Sequence, residues 1–127
     1  MEAKIYDLDK RLIDFAVNII EIAELLPNSF AGNHLAGQLI RSGIAPALHY
    51  GEAQSAESRN DFIYKMKVGA KELRETFNCL RIIKKKEWIS NEKIDAVLNE
   101  NNQLISIFVK SISTAQTNNQ NKKKLVE

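Results

Sequence analysis

Residues 59–86 read RNDFIYKMKVGAKELRETFNCLRIIKKK and contain the clearest structural pattern in the chain. The apolar and small residues of this stretch alternate steps of four and three. They are Phe62, Met66, Gly69, Leu73, Thr76, Leu80 and Ile83. Such steps place side chains on one stripe of an α-helix that packs along a neighbouring helix. The stretch therefore predicts one long helix over 59–86 that is buried along one side.

Three further segments have helical spacing, at about residues 7–26, 33–56 and 91–117. Pro27-Asn28 ends the first, and Ser90 suits the N-cap of the last. The chain has only five glycines and two prolines, which favours long helices over a turn-rich sheet. Four helices with short connections predict an all-α protein, an antiparallel up-down-up-down four-helix bundle over residues 1–118. Residues 119–127, rich in Asn and Lys, are predicted to form a flexible basic tail.

Size and composition indicate one globular domain. The chain has 127 residues, of which 44% are hydrophobic and 27% are charged. Its N-terminus, MEAKIYD, has no apolar core of signal-peptide length, and no stretch approaches the roughly 18 apolar residues of a membrane span. Cys79 is the only cysteine, so neither an intrachain disulfide nor a cysteine-based zinc site can form. These features predict a cytoplasmic protein with no membrane contact.

The second predicted helix is more apolar than one buried side requires. Only Arg41 and Glu52 are charged between residues 33 and 56, and apolar or small residues cover about half of the circumference. This surplus predicts a second covered side, against another subunit or against unusually close helices of the same chain. Leu39 and Tyr50 are among the residues expected at that contact. Small residues at a spacing of four would let a facing backbone approach closely. They are Gly43, Ala47 and Gly51.

A polar group on the same helix is the best candidate for chemistry. His49 and Glu52 lie three residues apart on one face, with Arg41 on the same flank. A di-iron bundle needs paired Glu-x-x-His elements with further carboxylates, whereas this chain has one such pair in the reverse order. The residues therefore indicate a polar ridge that is satisfied by hydrogen bonds, either structural or at a subunit contact. No catalytic residue, metal ligand or cofactor motif can be assigned, so we expect a protein that is not an enzyme.

The charge of the chain is concentrated in one helix. The net charge is +2, yet residues 59–86 hold nine basic and three acidic residues. Five of the basic residues fall on one flank and are termed the basic stripe. They are Lys67, Lys71, Arg74, Arg81 and Lys85. The acidic residues Asp61, Glu72 and Glu75 fall on the other flank.

Segregated charge of this kind can bind phosphates, because each neutralised phosphate releases counterions. The alternative is an ordinary solvated face on which Lys71 and Glu75 pair at a spacing of four. No aromatic residue interleaves with the basic stripe, so base stacking is not expected along it. The basic stripe would therefore recognise the backbone and the shape of a nucleic acid and not its bases.

Several runs of sequence resemble a known family. They are LIRSGI at 39–44, EAQSAES at 52–58, DFIYKMK at 61–67 and KELRET at 71–76. These runs resemble the four-helix bundle proteins encoded by intervening sequences in bacterial 23S rRNA genes. The accessory proteins of diversity-generating retroelements look like relatives of the same family. The likeness covers nearly the whole chain, with one departure, because the family often carries Asn where this chain has His49.

The resemblance implies a four-helix bundle that assembles as a homopentamer, a ring with basic surfaces, and it transfers no catalytic residue. Through the retroelement relatives it implies association with nucleic acid and with a reverse transcriptase. Residues and resemblance together give two hypotheses. In the first, a homo-oligomer binds structured RNA or DNA through the basic stripe. In the second, the ring is a protein-interaction scaffold with no direct role in nucleic-acid binding.

Overall fold

The computed structural model describes the backbone of residues 7–126 and the side chains of residues 7–120. Four α-helices lie within that range: α1 (Leu8–Leu25), α2 (Phe30–Gln54), α3 (Arg59–Lys85) and α4 (Asn91–Val126). Each helix packs against the next along the chain, and α1 closes the bundle through a smaller contact with α4. This is the antiparallel up-down-up-down bundle that the spacing predicted, so the predicted fold class is confirmed.

Serine side chains mark the beginnings of three helices. Ser29 Oγ accepts a hydrogen bond from the backbone amide three residues later, at 3.0 Å. Ser58 Oγ and Ser90 Oγ do the same at 3.0 and 3.4 Å. Each bond satisfies one of the amides that a helix leaves unpaired in its first turn.

Helix α2 begins at Phe30, earlier than its predicted start, because Ser29 is its N-cap. Gly32 is part of the first turn and is buried. A Cβ at this position would overlap the carbonyl oxygen of Pro27. Gly32 precedes the predicted start of this helix, but the close contact with Pro27 requires a glycine there in the first turn.

Helix α4 continues to Val126, beyond its predicted end near residue 117. Asn119 Nδ2 donates to Asn60 Oδ1 at 3.0 Å and so ties this part of α4 to the start of α3. Residues 118–126 contain no Gly or Pro, so nothing in their sequence stops a helix anchored in this way. The segment predicted as a flexible basic tail is thus helical as far as Val126. The side chains of the lysines at 122–124 lie outside the described residues.

The core consists of the buried stripes of all four helices. Its largest fully buried side chains are Leu12, Phe15, Ile19, Ile22, Leu39, Met66, Leu73, Leu80, Ile83, Ile94, Leu104 and Phe108. On α3, every member of the predicted stripe is buried except Phe62, which is half-buried. Arg11 adds a polar clamp between α1 and α4, since its guanidinium donates to both carboxylate oxygens of Glu100 at 2.9 and 2.7 Å.

Two glycines let helices of this chain approach each other closely. A Cβ at Gly43 of α2 would lie 2.6 Å from Cγ2 of Ile19 in α1. A Cβ at Gly69 of α3 would lie 2.6 Å from Cε2 of Phe108 in α4. Gly51 differs, because no neighbouring heavy atom of the described chain lies within 4 Å of such a Cβ. Of the predicted series of small residues, Gly43 therefore serves the contact between α1 and α2, whereas Gly51 faces open space.

Polar bonds across the core tie α3 to both of its neighbours. Thr76 Oγ1 is hydrogen-bonded to Ser42 Oγ of α2 at 2.9 Å and to the Glu72 carbonyl oxygen at 2.8 Å. Asn101 Nδ2 of α4 donates to the Leu73 carbonyl oxygen at 3.0 Å. Because a buried polar group is costly without a partner, these bonds favour one axial position of α3 against α2 and α4.

We expect Gly43→Ala to destabilise the bundle by about 1 kcal/mol. The added methyl group meets Ile19, which is β-branched and fully buried. Overpacking of this kind costs about 1–3 kcal/mol, against a gain of roughly 1 kcal/mol in helix propensity. The measurement is the free energy of unfolding in urea at a fixed protein concentration.

Gly37→Ala is the matched control for this change. Gly37 lies on the same helix, and no neighbouring heavy atom of the described residues lies within 4 Å of an added Cβ. The control should therefore raise the free energy of unfolding by about 0.5–1 kcal/mol. Equal stabilisation by both substitutions would contradict the close contact between α1 and α2.

Candidate functional site

Helix α3 presents the whole basic stripe to solvent. Lys67, Lys71, Arg74, Arg81 and Lys85 are all exposed, because the buried stripe of the same helix turns their flank outward. From first to last they span roughly 27 Å at a helical rise of about 1.5 Å per residue. Among the side chains of residues 7–120, no carboxylate forms a salt bridge with any of the five. The stripe is therefore a row of cations without neutralising partners in the described chain.

Arg41 pairs with two of the three acids on the acidic flank of α3. Its guanidinium donates to Glu72 Oε2 at 2.9 Å and also forms a salt bridge with Glu75. The Glu72 side chain is only 14% exposed, so it faces α2 and not solvent. The pairing of Lys71 with Glu75, the alternative considered from the sequence, does not form, because Glu75 is paired with Arg41. Contact with α2 thus leaves the two flanks of α3 electrostatically different.

A shallow groove between α3 and α4 continues the basic surface. Lys67 and Arg74 line it on one side, and Val109, Ser113 and Gln116 line it on the other. Its volume is about 250 Å³. The α4 wall contributes neutral polar and aliphatic groups, so the positive charge of the two α3 side chains is not offset within the groove.

The predicted polar ridge of α2 is divided into two separate contacts with α3. Arg41 pairs with the acids of α3, as described above. Three turns further along, Glu52 Oε1 accepts a hydrogen bond from Lys65 Nζ at 3.0 Å. His49 Nδ1 lies 3.8 Å from the same carboxylate, beyond hydrogen-bond distance, and has no partner among the described residues. The hydrogen bond and the charge of Lys65 hold the pKa of Glu52 below its ordinary value.

Leu39 and Tyr50 both belong to the core of their own chain. Leu39 is fully buried within its own chain, so helices of the same chain provide the contact predicted for this residue. Tyr50 is half-buried, with its ring centroid 6.3 Å from that of Phe108, and burial raises the pKa of its hydroxyl. The second covered side predicted for α2 is thus supplied partly by α1 and α3. Close helices of the same chain were one of the two alternatives left open by the sequence.

Several large apolar side chains of α1 and α2 lie outside the core and are exposed to solvent. Ile13 and Val17 of α1 are 50% and 47% exposed, and Leu48 of α2 is 61% exposed. Ile20 and Ile44, one turn along from Val17 and Leu48, are half-buried. These five residues are termed the apolar face. Large contiguous apolar surface on a small protein typically marks a contact with another molecule.

Helix packing brings the two halves of the apolar face together. Helices α1 and α2 are antiparallel, and Ile19 lies against Gly43. Each residue of the apolar face lies within six positions of Ile19 or Gly43 along its own helix, so both halves of the face flank this contact. The sequence contained a signal for the α1 half, because Ile13, Val17 and Ile20 are spaced by four and three. The buried stripe of α1 accounts for the helix without this second spacing, so the spacing alone does not predict an exposed apolar surface.

Neither metal-binding groups nor membrane-spanning helices occur in the part of the chain that the structure describes. No three or more side chains of His, Cys, Asp and Glu come together there as metal ligands would. Cys79 is buried, and burial raises the pKa of its thiol. Within the same range, none of the helices combines the length and the apolar character that crossing a membrane requires.

The fold and the surfaces define a class, namely small antiparallel four-helix bundles with a basic outer face. A family model described as 23S rRNA-intervening sequence protein matches residues 5–110. The chain therefore belongs to the 23S rRNA-intervening sequence protein family. The resemblance found in the sequence is confirmed at this level.

A solved structure has the same fold. It is the crystal structure of a protein with unknown function from the S23 ribosomal protein family of Bacteroides thetaiotaomicron. The two share 28% identity with a TM-score of 0.77, over 83% of this chain and 97% of that one. A comparison with curated proteins finds no match. The kinship with accessory proteins of retroelements remains a prediction.

The contact between Glu52 and Lys65 predicts a specific pH dependence. Because the pKa of Glu52 in the folded chain lies below its ordinary 4.5, the contact stabilises the fold fully above that value. The contribution is lost as the pH falls through the lowered pKa. We expect Lys65→Met to move the pKa of Glu52 back toward 4.5 in an NMR titration of the side-chain carboxyl.

Lys10→Met is the control for this titration. It removes an exposed ion pair with Asp14 on α1 and leaves the contact between α2 and α3 intact. The pKa of Glu52 should not change in this variant. If Lys65→Met also left it unchanged, the assigned cause would be wrong.

Proposed function

We propose that this protein is a non-enzymatic homo-oligomer that binds structured RNA or DNA through the basic stripe of α3. The observation that carries the proposal is the exposed row of five cations on a helix whose Glu72 and Glu75 are paired with Arg41. An ordinary solvated face would instead intersperse its charges and pair them along the helix.

Phosphate contacts suit this surface better than base contacts do. The five side chains are long, flexible cations. Neighbouring cations are about one helical turn apart, except that Arg74 and Arg81 are about two turns apart with Asn78 in line between them. No aromatic side chain stands between Lys67 and Arg74 on that flank. Cations of this kind fix the position of a nucleic-acid backbone and carry little sequence information. We therefore propose recognition of backbone and shape.

Two family designations agree with a nucleic-acid partner. The family is described by an intervening sequence of 23S rRNA, and the protein from Bacteroides thetaiotaomicron is assigned to the S23 ribosomal protein family. The first description names 23S rRNA, and the second names a ribosomal protein family. For this chain, the association supports the proposal that its partner is a polyanion.

The apolar face supports the oligomeric part of the proposal. Leu48 is 61% exposed on α2, and Ile13 and Val17 lie on the adjoining side of α1. This surface belongs to α1 and α2, whereas the basic stripe lies on α3 beside α4, so both can be occupied at once. A homopentameric ring built through the apolar face would repeat the basic stripe in every subunit and strengthen its field.

Charge reversal in the basic stripe tests the proposed binding. Five phosphate contacts predict that log K falls against log salt with a slope of about −4.5 on duplex DNA. We expect the triple variant Lys67→Glu, Lys71→Glu and Arg74→Glu to reduce this slope to about −2 and to weaken binding at 0.1 M salt by roughly two decades or more. Fluorescence polarisation with a labelled hairpin, repeated over a salt series, measures both quantities.

The matched control reverses three exposed lysines outside the stripe, Lys10→Glu, Lys93→Glu and Lys110→Glu. It changes the net charge by the same amount, so it separates a specific face from a general attraction. Affinity should fall much less than in the stripe variant. Salt-independent binding, or equal losses in the two triple variants, would reject the proposal. A protein partner that persists after nuclease treatment would favour the scaffold hypothesis instead.

Assembly is tested separately from binding. We expect Val17→Glu combined with Leu48→Glu to dissociate the oligomer, because both substitutions place a charge in an apolar contact. Light scattering coupled to size exclusion, at several micromolar concentrations, measures the mass. Tyr64→Glu is the matched control, since Tyr64 is 62% exposed but lies on α3 outside the apolar face. A wild-type protein that is monomeric throughout this range would refute the oligomeric part.

A further inference from the structure

A large, open cleft lies where α3 ends and α4 begins. Its lining combines the last turns of α3, the connecting turn and one side of α4. The side chains that matter here are Phe77, Asn78, Arg81, Ile82, Lys85 and Leu98. The cleft is open to solvent and has a volume of about 920 Å³. Ligand sites commonly measure about 300–1,000 Å³, so a group of nucleotide size fits within it.

The cleft is strongly basic. Arg81, Lys84, Lys85 and Lys86 line it, against a single carboxylate in the lining, that of Glu87. Lys84 is engaged with Asp95 of α4 at 2.6 Å. The other three cations have no carboxylate partner among the described side chains. The lining can therefore attract at least one phosphate.

An apolar floor lies beside these cations. Phe77 and Leu98 are half-buried, so each leaves part of its apolar surface open to the cleft. Ile82 is 50% exposed on the same surface. A phosphate alone would gain nothing from this floor. A ligand that carries both a phosphate and a flat apolar ring would contact both parts of the lining.

The cleft lining also contains two side-chain amides, those of Asn78 and Asn91. Asn78 Oδ1 accepts a hydrogen bond from Arg81 at 3.2 Å, which leaves its amide nitrogen available to donate. Asn91 is an exposed second amide in the lining, at the first residue of α4. Side-chain amides both donate and accept, as the edge of a nucleobase requires. Cations, apolar floor and amides together match the chemistry of one nucleotide.

We propose that this cleft holds a single unpaired nucleotide of the nucleic acid that the basic stripe binds. The inference rests on the proposed function and names its substrate class, which is RNA or DNA with a single-stranded end or loop beside a duplex. Asn78, Arg81 and Lys85 belong to the cleft and lie on the line of the stripe. A backbone that follows the stripe is thereby led to the cleft, where its terminal base packs against Phe77, Ile82 and Leu98.

A free nucleotide has the same chemistry but is expected to bind much more weakly. The cleft is open, so it covers only part of a ligand and leaves the rest in water. A nucleotide attached to a bound duplex can occupy the cleft with a lower intrinsic affinity. The basic stripe holds the duplex, so the attached nucleotide is already at a high local concentration near the cleft. The test therefore includes a free mononucleotide as a separate arm.

The experiment compares a blunt hairpin with the same hairpin carrying a four-nucleotide single-stranded overhang. Fluorescence polarisation with the full-length protein gives both affinities, and 2-aminopurine in the overhang reports stacking of its base. We expect the overhang to strengthen binding about tenfold, the effect of one stacked base. We also expect the double variant Ile82→Ala and Asn91→Ala, which changes two lining residues outside the basic stripe, to reduce this preference below about threefold while blunt-hairpin affinity stays within twofold.

Tyr64→Ala is the matched control, because Tyr64 is exposed on α3 and does not line the cleft. It should change neither affinity. Equal binding of the two hairpins by the wild-type protein would overturn this inference and leave the proposed function standing. Failure to bind either hairpin would overturn both. Adenosine monophosphate that binds as tightly as the overhang hairpin would also overturn it, since the cleft would then be a site for free nucleotides.

Discussion

The packing of the apolar stripe of α3 against its neighbours sets the orientation of every other side chain on that helix. Met66, Leu73 and Leu80 are fully buried, and this burial fixes the rotation of α3 about its own axis. Rotation by one residue would move these large side chains into water, at about 1.5–3 kcal/mol for each. The buried polar bonds of Thr76 and Asn101 fix the axial position as well. The direction of the basic stripe follows from this core.

The two flanks of α3 differ in whether their charges are paired, because different helices lie beside them. The flank toward α2 carries Glu72 and Glu75, and Arg41 satisfies both. The flank toward α4 carries the basic stripe, and the neighbouring wall of α4 offers Val109, Ser113 and Gln116. The two flanks of one helix thus become a seam of paired charges against α2 and a positive surface beside α4. Such a surface attracts polyanions over distances near the Debye length, roughly 8–10 Å at physiological salt.

The surfaces proposed for assembly and for binding lie on different helices. The apolar face is formed by α1 and α2, whereas the stripe, the groove and the cleft belong to α3 and α4. The proposed assembly and the proposed nucleic-acid binding therefore do not compete for the same surface. In the proposed ring, the basic stripes of several subunits would contact one nucleic acid together. A modest affinity of each stripe would then give a higher overall affinity through avidity.

Spacing along single chain segments was enough to predict the four helices, the buried side of α3 and the segregation of its charge. It could not assign Leu39 to the core, since half of the circumference of α2 is apolar and only the positions of α1 and α3 decide which part is covered. The pairing of Arg41 with the acids of α3 depends on residues 31 positions apart or more. The apolar face and the cleft likewise arise where helices distant in sequence meet. Tertiary structure decided these features, because each requires knowing which neighbour shields a given flank.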